Sequence, residues 1–217
     1  MTNSLHAPAV RAVLDRLFAS AGLDDDAATH LPPGRTYDSA TPQERADAMA
    51  HLYMPISAPG GNLLYALIRA SRPHIVVEFG TSFGISTIYL AAAVVDNGIG
   101  RIFGSELSAT KLSAARANLD AAGVAAPVTI LPGDARESLA GIPGPIGFVL
   151  LDGWKDLYLP VLRLLEPKLA PGALIVADDS TFPSVATYLD YVRNPASGYV
   201  NVAFPVEDGM EISCMTM

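Results

Sequence analysis

VVEFGTSFGIS, residues 76–86, is the segment from which the fold can be inferred, because it joins a strand, a glycine turn and the start of a helix. Gly80 and Gly84 allow the backbone to turn tightly and to approach a ligand, and free amides at the helix start attract a negative group. The spacing is G-x-x-x-G rather than the GxGxxG of dinucleotide sites, which disfavours a nicotinamide cofactor. Taken alone, the loop is equally compatible with a tight turn that only packs on the sheet.

Outward from this loop, short apolar runs alternate with helix-like segments after Pro73. Such alternation predicts βαβ units and a doubly wound parallel sheet. Two further strands at 199–204 and 210–216, joined by a turn at 207–209, predict an antiparallel C-terminal edge and seven strands in all. The predicted parallel strands are at 75–79, 101–105, 127–131, 146–151 and 173–177, and the predicted helices between them are at 85–95, 108–122, 134–140 and 157–169.

The N-terminal part is predicted to add further helices. Apolar residues recur at helical spacing from residue 10 to residue 18, and Gly22 follows where this helix would end. Residues 24–39 show no period and predict a loop. TPQE at 41–44 forms a capping box that opens a helix to about residue 52, and another helix is predicted after Gly61, to about residue 71.

The composition indicates a folded, acidic chain. Of its 217 residues, 50% are hydrophobic and 17% are charged, and the formal net charge is -8. This apolar content is enough to bury a core, and the length favours one domain, so we expect a single domain over residues 1–217 with residues 1–60 as a helical extension or lid. The negative charge argues against nucleic acid and anionic membranes as partners.

The sequence also predicts a cytoplasmic location. Its longest apolar stretches, such as residues 90–95, are far shorter than the roughly 20 residues that span a bilayer. The N-terminal residues lack the basic region and apolar run of a signal peptide and predict an amphipathic helix instead. Cys214 is the only cysteine, which excludes an intrachain disulfide and a cysteine-built zinc site and favours a small, buried apolar role.

Acidic residues follow the second and third predicted strands, at the edge where such sheets bind ligands. Glu106 is placed to accept hydrogen bonds from both ribose hydroxyls of a nucleoside, or else is a charge at the start of a helix that Ser108 caps. Asp134 could accept from an adenine amine or could be an ordinary N-cap. The ligand-binding interpretation gains support because the glycine loop, Glu106 and Asp134 all follow strands at their carboxyl ends.

Three aspartates follow the next two predicted strands. Asp152 comes directly after the fourth strand, and Asp178 and Asp179 come directly after the fifth. Neighbouring strands lie about 5 Å apart, so these carboxylates should converge, and they repel one another unless a cation or protons neutralise them. Oxygen-only ligation suits Mg²⁺ or another hard divalent cation. The alternative is that one of the last two faces solvent while the other caps a loop.

Lys155 and Trp154 follow Asp152 closely. Lys155 lies about one helical turn beyond Asp152. A nearby cation and desolvation would lower the pKa of this lysine, so that it could act as a general base, whereas a lone lysine at a helix start is usually just solvated. Trp154, the only tryptophan, is either a core residue, which is the commoner role, or the wall of an aromatic pocket.

Three segments together resemble one enzyme family. LLDGWKDLYLP at 150–160, LIVADD at 174–179 and VEFGTSFGIS at 77–86 are similar to the catechol O-methyltransferase family of class I S-adenosylmethionine-dependent enzymes. The resemblance extends from about residue 54 to the C-terminus. It implies a Rossmann-like α/β fold, S-adenosylmethionine as the methyl donor and a divalent cation, Mg²⁺ first, beside the acceptor.

The same resemblance implies roles for individual residues. Asp152, Asp178 and Asp179 match the metal ligands, and Lys155 matches the catalytic base. The implied cofactor-binding residues are Met54, Ile56, Glu78, Gly80, Ser82, Ser86, Glu106, Leu107, Asp134, Ala135, Asp152 and Trp154.

The chain departs from the family pattern at four positions. Asp179 stands where the family has an asparagine, which adds a negative charge at the cation site. Ser82 replaces a tyrosine near the methionine moiety, and Gly153 replaces a histidine that contacts the cofactor. Val202 falls where an acceptor-contacting glutamate would align. The identity of the acceptor is therefore left open, and it need not be catechol itself.

These observations predict an O-methyltransferase that acts on a hydroxyl of a small, vicinal-dihydroxy aromatic acceptor. Two adjacent hydroxyls would bind the cation, which lowers the pKa of one of them from about 10, and Lys155 would take its proton. Three alternatives stay open: a metal-independent methyltransferase, a nicotinamide-dependent oxidoreductase and a non-catalytic cofactor-binding protein. The N-terminal helices are candidate lid or homodimer elements.

Overall fold

A seven-stranded sheet organises the computed structural model, which describes residues 3–24 and 31–216. The strands are β1 (Ile75–Phe79), β2 (Arg101–Glu106), β3 (Val128–Pro132), β4 (Ile146–Leu151), β5 (Leu169–Ala177), β6 (Tyr199–Phe204) and β7 (Met210–Met215). Their order across the sheet is β3-β2-β1-β4-β5-β7-β6. The first five strands pair in parallel, and β7 pairs antiparallel with both β5 and β6. The seven strands and the antiparallel edge confirm the prediction.

Helices cover both faces of this sheet. They are α1 (Pro8–Ala21), α2 (Pro42–Ala48), α3 (Ala58–Ser71), α4 (Ile85–Asn97), α5 (Ala109–Ala122), α6 (Ala135–Ser138), α7 (Tyr158–Leu165) and α8 (Ala186–Val192). One apolar cluster joins α1, α3, α4 and α5 to the sheet, and a second joins α6, α7 and α8 to the opposite face. The arrangement is the predicted doubly wound one.

The parallel strands are apolar because they are buried on both faces. In β4, Phe148 and Leu150 belong to the first cluster and Val149 and Leu151 to the second. All four side chains have 0% exposure. Successive side chains of a strand point to opposite faces, so an uninterrupted apolar run is what a strand between two helix layers requires.

The order of the strands reverses between β1 and β4. From β1 the chain continues to β2 and β3 on one side, whereas β4 and β5 lie on the other. Phe79 and Leu151 are paired at the carboxyl ends of β1 and β4. Because the loops after these ends diverge, a crevice forms there, which is where open α/β sheets bind ligands.

The boundaries of two N-terminal helices differ from the prediction. The capping box at the start of α2 is confirmed, since Thr41 accepts from the Glu44 N–H and Glu44 accepts from the Thr41 N–H. However, α2 ends at Ala48 rather than near residue 52, because the chain leaves the helical conformation at Met49. In contrast, α3 begins before Gly61, because Ser57 caps it by accepting from the Gly60 N–H.

Other segments depart from the prediction in smaller ways. The predicted helix at 134–140 has only the four residues of α6, and α7 stops at Leu165 because a 3-10 turn and then β5 follow. No prediction corresponds to α8, whose seven residues give fewer than two turns of apolar period. Residues 31–40 of the predicted loop contain turns, and residues 25–30 lie outside the described residues.

Within residues 3–24 and 31–216, no helix is both long enough and apolar enough to cross a bilayer. Cys214 lies in β7 and is half-buried rather than fully buried. The cytoplasmic location and the homodimer stay predictions.

Gly61→Ala should weaken the packing of α3 on α4. A Cβ at position 61 would lie 2.5 Å from the ring of Tyr89. Overpacking costs about 1–3 kcal/mol and the gain in helix propensity is about 1 kcal/mol, so we expect the free energy of unfolding to fall by up to about 2 kcal/mol. Urea denaturation measures this change. Gly141→Ala is the matched control, because nothing lies within 4 Å of its added Cβ; equal stability of the two variants would contradict the predicted clash.

Candidate active site

A cavity of about 860 Å³ opens at the carboxyl edge of the sheet. Segments that follow β1 to β5 form its floor and walls, and residues between 31 and 56 together with the loop between β6 and β7 form its roof. Small-molecule sites commonly measure about 300–1,000 Å³, so this cavity lies at the upper end of the range.

The cavity brings together nearly all of the predicted site residues. Those that line it are Met54, Ile56, Gly80, Ser82, Ser86, Glu106, Leu107, Asp134, Ala135, Asp152, Trp154, Lys155, Asp178 and Asp179.

Glu78 is the predicted residue that does not line the cavity. It is fully buried, and its carboxylate accepts hydrogen bonds from Thr81 (2.9 Å), Ser86 (2.8 Å) and Thr87 (2.6 Å). Burial raises the pKa of Glu78, although these three hydroxyls oppose the rise. The carboxylate therefore fixes the glycine loop from beneath, and its predicted contact with the cofactor stays a prediction.

The glycine loop lies directly against the end of β4. Gly80 has φ +96°, and a Cβ there would collide with the backbone of Asp152, so only glycine fits this approach. Ser82 also has positive φ (+47°), and its hydroxyl donates to the Tyr53 carbonyl at 3.0 Å. The loop is thus held between β4 and the roof segment that contains Tyr53.

Glu106 ties two loops together at the cavity wall. One carboxylate oxygen accepts from the Ser82 N–H and the other from the Ser108 N–H, both at 2.7 Å. Ser108 is the N-cap of α5, as expected from the sequence. Glu106 thus has a structural role and also borders the cavity, so the two interpretations from the sequence are compatible.

Asp134 caps α6 and pairs with Arg136. Its carboxylate accepts from the Arg136 N–H at 2.9 Å and from the guanidinium at 2.6 Å. The hydrogen bond from the Arg136 side chain is the main cause that lowers the pKa of Asp134. The N-cap interpretation is therefore confirmed, and the carboxylate borders the cavity as well.

Asp152, Asp178 and Asp179 converge as the strand order predicts. Each offers one carboxylate oxygen, and the three oxygens lie within 4.8 Å of one another. Burial, and then the repulsion between neighbouring carboxylates, raises the pKa of Asp152 to about 7 and that of Asp178 to about 8. Oxygens on one Mg²⁺ at about 2.1 Å are at most about 4.2 Å apart, so a small adjustment would let this cluster fit such a cation.

Lys155 lies against this cluster, at the start of a 3-10 turn (Lys155–Leu157). Its ammonium is 2.7 Å from Asp179, 3.4 Å from Asp152 and 2.8 Å from the Tyr158 hydroxyl. Burial lowers the pKa of Lys155, but Tyr158 and the two carboxylates outweigh burial and raise it well above its usual value. The protein groups alone therefore hold Lys155 protonated, and the lowered pKa expected beside a bound cation stays a prediction.

Trp154 lines the cavity and also packs against the second apolar cluster. Its ring is half-buried and meets the Tyr37 ring edge to face at 6.0 Å. The Arg45 guanidinium lies 5.1 Å from the Trp154 ring centroid and 4.9 Å from that of Tyr37. Arg45 is 4% exposed and makes two hydrogen bonds of 2.9 Å to Asp156. It thus connects α2 in the roof to the segment that carries Lys155.

Several residues that line the cavity were not among the predicted site residues. Val202, the position aligned with the family's glutamate, is 54% exposed in β6 and does not line it, whereas Glu207 and Asp208 in the next turn do. The charged turn at 207–209, visible in the sequence, could have indicated that these two residues border the cavity. No motif indicates a ligand site at the others, which include Leu31, Tyr37, Pro42, Ala46, Met49, Leu52, Tyr53, Pro55, Ser105, Lys111, Phe182 and Ser184.

Comparisons with known proteins find similarity to methyltransferases. Residues 77–180 match the family described as "Methyltransferase domain". The chain is 30% identical over 151 residues to catechol O-methyltransferase of Mus musculus, a match that covers 66% of this chain and 56% of the mouse enzyme. The chain thus spans little more than half the length of that relative.

Solved structures share the fold. The O-methyltransferase TomG of Streptomyces achromogenes, in complex with S-adenosylmethionine, is 25% identical with a TM-score of 0.68, over 82% of this chain and 91% of TomG. Cofactor-bound Rv0187 from MTB is 23% identical with a TM-score of 0.70, over 98% of this chain and 93% of that protein. The chain therefore contains a methyltransferase domain and is similar to catechol O-methyltransferases and to an O-methyltransferase solved with S-adenosylmethionine.

Proposed function

We propose that this chain transfers the methyl group of S-adenosylmethionine to a hydroxyl oxygen of a small, vicinal-dihydroxy aromatic acceptor, with the help of a divalent cation such as Mg²⁺. The observation that carries the proposal is the aspartate cluster with Lys155 at 2.7 Å from Asp179, in the same cavity as the glycine loop. The printed names of the relatives support methyl transfer to oxygen, since one is a catechol O-methyltransferase and TomG was solved with S-adenosylmethionine.

The donor would lie along the floor of the cavity. Glu106 presents a carboxylate fixed by two backbone N–H groups, which suits the two hydroxyls of a ribose. Gly80 lets the backbone approach the amino-acid end, and Ala135 lies at the start of α6 where an adenine would reach. Met54 and Ile56 would cover the donor from the roof.

The cation would be held by Asp152, Asp178 and Asp179. Carboxylate oxygens are the ligands that hard divalent cations prefer. Burial and the repulsion between carboxylates raise the pKa values of Asp152 and Asp178, and a bound cation would counter both effects. When bound, such a cation supplies Lewis-acid activation of the acceptor hydroxyl and fixes its direction.

Lys155 would accept the proton that leaves the acceptor hydroxyl. Its ammonium is now stabilised by Asp152 and Asp179. Lys155 becomes a base only when these carboxylates are engaged elsewhere, because their negative charges, together with Tyr158, raise its pKa. Tyr158, whose hydroxyl is 2.8 Å from the ammonium and donates to the Asp178 carbonyl at 3.2 Å, would keep the side chain in place.

The acceptor would be an aromatic ring between the cluster and the roof. Trp154 and Phe182 offer aromatic surface on two sides, and Tyr37 and Met49 add apolar surface above. Aromatic side chains pack well against a flat ring. Glu207 and Asp208 line the cavity too, which disfavours an acceptor with its own negative charge.

The roof would act as a lid over both ligands. It is joined to the catalytic segment by Arg45, whose planar guanidinium pairs with both oxygens of Asp156 and stacks near two aromatic rings. This assigns the predicted lid within residues 1–60 to α2 and its flanks. Lid closure would exclude water from the reacting groups.

Direct assay tests the proposal. The protein is incubated with methyl-labelled S-adenosylmethionine, Mg²⁺ and a panel of catechols, and mass spectrometry should find methylated product together with an equal amount of S-adenosylhomocysteine. Calorimetry should detect binding of S-adenosylhomocysteine to the protein and no binding of NADH. Binding of NADH alone would favour the nicotinamide-dependent alternative, and binding of the donor without any product would favour the non-catalytic one.

Chelation should abolish activity, and added Mg²⁺ should restore it. Asp178→Ala removes a buried ligand, so we expect Mg²⁺ affinity in calorimetry to fall by more than about tenfold. Asp179→Asn keeps an oxygen ligand and loses only a charge, so its affinity should fall less. Activity that survives complete chelation would favour the metal-independent alternative.

Lys155→Met should lower turnover by about 10²–10⁴-fold, the usual contribution of a general base. Affinity for S-adenosylhomocysteine should stay nearly unchanged, because the lysine faces the aspartates rather than the donor wall. Arg163→Met, which removes an exposed cation further along α7, is the control. Turnover at the wild-type level in Lys155→Met would refute the assignment of the base.

Arg45→Lys should loosen the lid. Lysine keeps the charge but cannot pair with both oxygens of Asp156 or stack as a plane on the aromatic rings. Amide hydrogen exchange in α2 should therefore become faster, by roughly tenfold for each 1.4 kcal/mol of lost stability. Arg35→Lys is the matched control, since Arg35 is 45% exposed and its ion pair with Glu44 spans 3.5 Å. Equal exchange in both variants would show that Arg45 does not hold α2.

A further inference from the structure

Lys111, in the first turn of α5, is a buried cation to which the proposed function assigns no role. It is 4% exposed and lines the cavity. Across residues 3–24 and 31–216, its ammonium forms no hydrogen bond or ion pair. The centroid of the Phe83 ring lies 5.6 Å from the ammonium.

Such a side chain is costly to bury. An ammonium withdrawn from water loses solvation that only a paired charge or hydrogen bonds restore. Burial lowers the pKa of Lys111, and the charge of Glu106 is the strongest influence that opposes this. The cation–π contact with Phe83 compensates only in part, since such contacts contribute about 0.5–2 kcal/mol. Because Lys111 lines the cavity, a ligand bound there could supply hydrogen-bond acceptors for its ammonium.

The position of Lys111 indicates which part of a ligand it would meet. Its backbone N–H donates to the Ser108 hydroxyl at 3.4 Å, and the Ser108 N–H donates to Glu106 at 2.7 Å. Lys111 and Glu106 therefore belong to one rigid segment, at the β2 end of the cavity. A diol bound to Glu106 donates two hydrogen bonds to the carboxylate. Its hydroxyl oxygens can then still accept hydrogen bonds from other donors.

We infer that Lys111 is a donor-binding residue whose ammonium donates a hydrogen bond to a ribose hydroxyl oxygen of the nucleoside that Glu106 binds. The inference rests on the proposed function, because it takes S-adenosylmethionine as the ligand. Lys111 and Glu106 then have complementary roles. Lys111 donates a hydrogen bond to a ribose oxygen, and Glu106 accepts hydrogen bonds from the ribose hydroxyls.

Calorimetry on the full chain tests this inference with two ligands. S-adenosylhomocysteine carries both ribose and amino-acid tail, whereas 5′-methylthioadenosine carries the ribose and lacks the tail. Lys111→Met should weaken the binding of both by about tenfold or more, because a hydrogen bond from a charged group is lost. Lys111→Gln, a second neutral variant, should weaken both in the same direction.

Two controls separate binding from folding. Arg11→Met removes an exposed cation on α1, outside the cavity, and should leave both affinities unchanged. Without ligand, Lys111→Met should melt no lower than the wild type, because the variant removes a buried charge with no ion-pair partner in the described part of the chain. A purely structural role for Lys111 would instead lower the melting temperature.

Three results would overturn the inference. Unchanged affinity for both ligands would make Lys111 a space-filling residue. Loss of affinity for S-adenosylhomocysteine alone would assign the ammonium to the carboxylate of the amino-acid tail. Failure of the wild type to bind S-adenosylhomocysteine would refute the proposed function itself and this inference with it.

Discussion

Hydrogen bonds that continue the sheet beyond its strands hold the candidate site together. The Asp152 N–H donates to the Phe79 carbonyl at 2.9 Å, and the Asp178 N–H donates to the Leu151 carbonyl at 3.0 Å. Each aspartate is therefore fixed to the end of the neighbouring strand before its side chain makes any contact. Because the strands are buried and pair in parallel, their ends cannot shift independently, and the carboxylates converge despite their mutual repulsion.

The electrostatic cost of this convergence explains the other charged groups nearby. Burial and like charge raise the pKa values of Asp152 and Asp178, and Lys155 relieves part of the repulsion. Carboxylates still outnumber ammonium groups in the cluster, which is an environment that a divalent cation suits. Glu78, buried nearby, is kept apart from the cavity by three hydroxyl donors. The same edge of the sheet thus contains one acid that fixes a loop and three that line the cavity.

The roof of the cavity depends on contacts between distant parts of the chain. Asp24 accepts from the Tyr53 N–H at 2.6 Å, and Glu207 accepts from the Ser57 N–H at 2.9 Å. With the pairing of Arg45 and Asp156, these contacts bind the roof to α1, to the loop between β6 and β7, and to the segment after β4. A surface segment that few contacts hold can open and close easily. Ligand entry would therefore depend on whether these three contacts form or break.

The sequence by itself determined the strands, the doubly wound class and the residues at the strand ends, because buried parallel strands must be apolar and their carboxyl ends share one edge. It therefore identified Glu106, Asp152, Asp178 and Asp179 as neighbours of one site before any contact was known. Only the tertiary structure decided that Glu78 lies beneath the loop, that Lys155 pairs with carboxylates, that Lys111 lines the cavity and that Arg45 pairs with Asp156. These outcomes depend on side-chain packing between segments far apart in the chain, and no local pattern of residues encodes such distances.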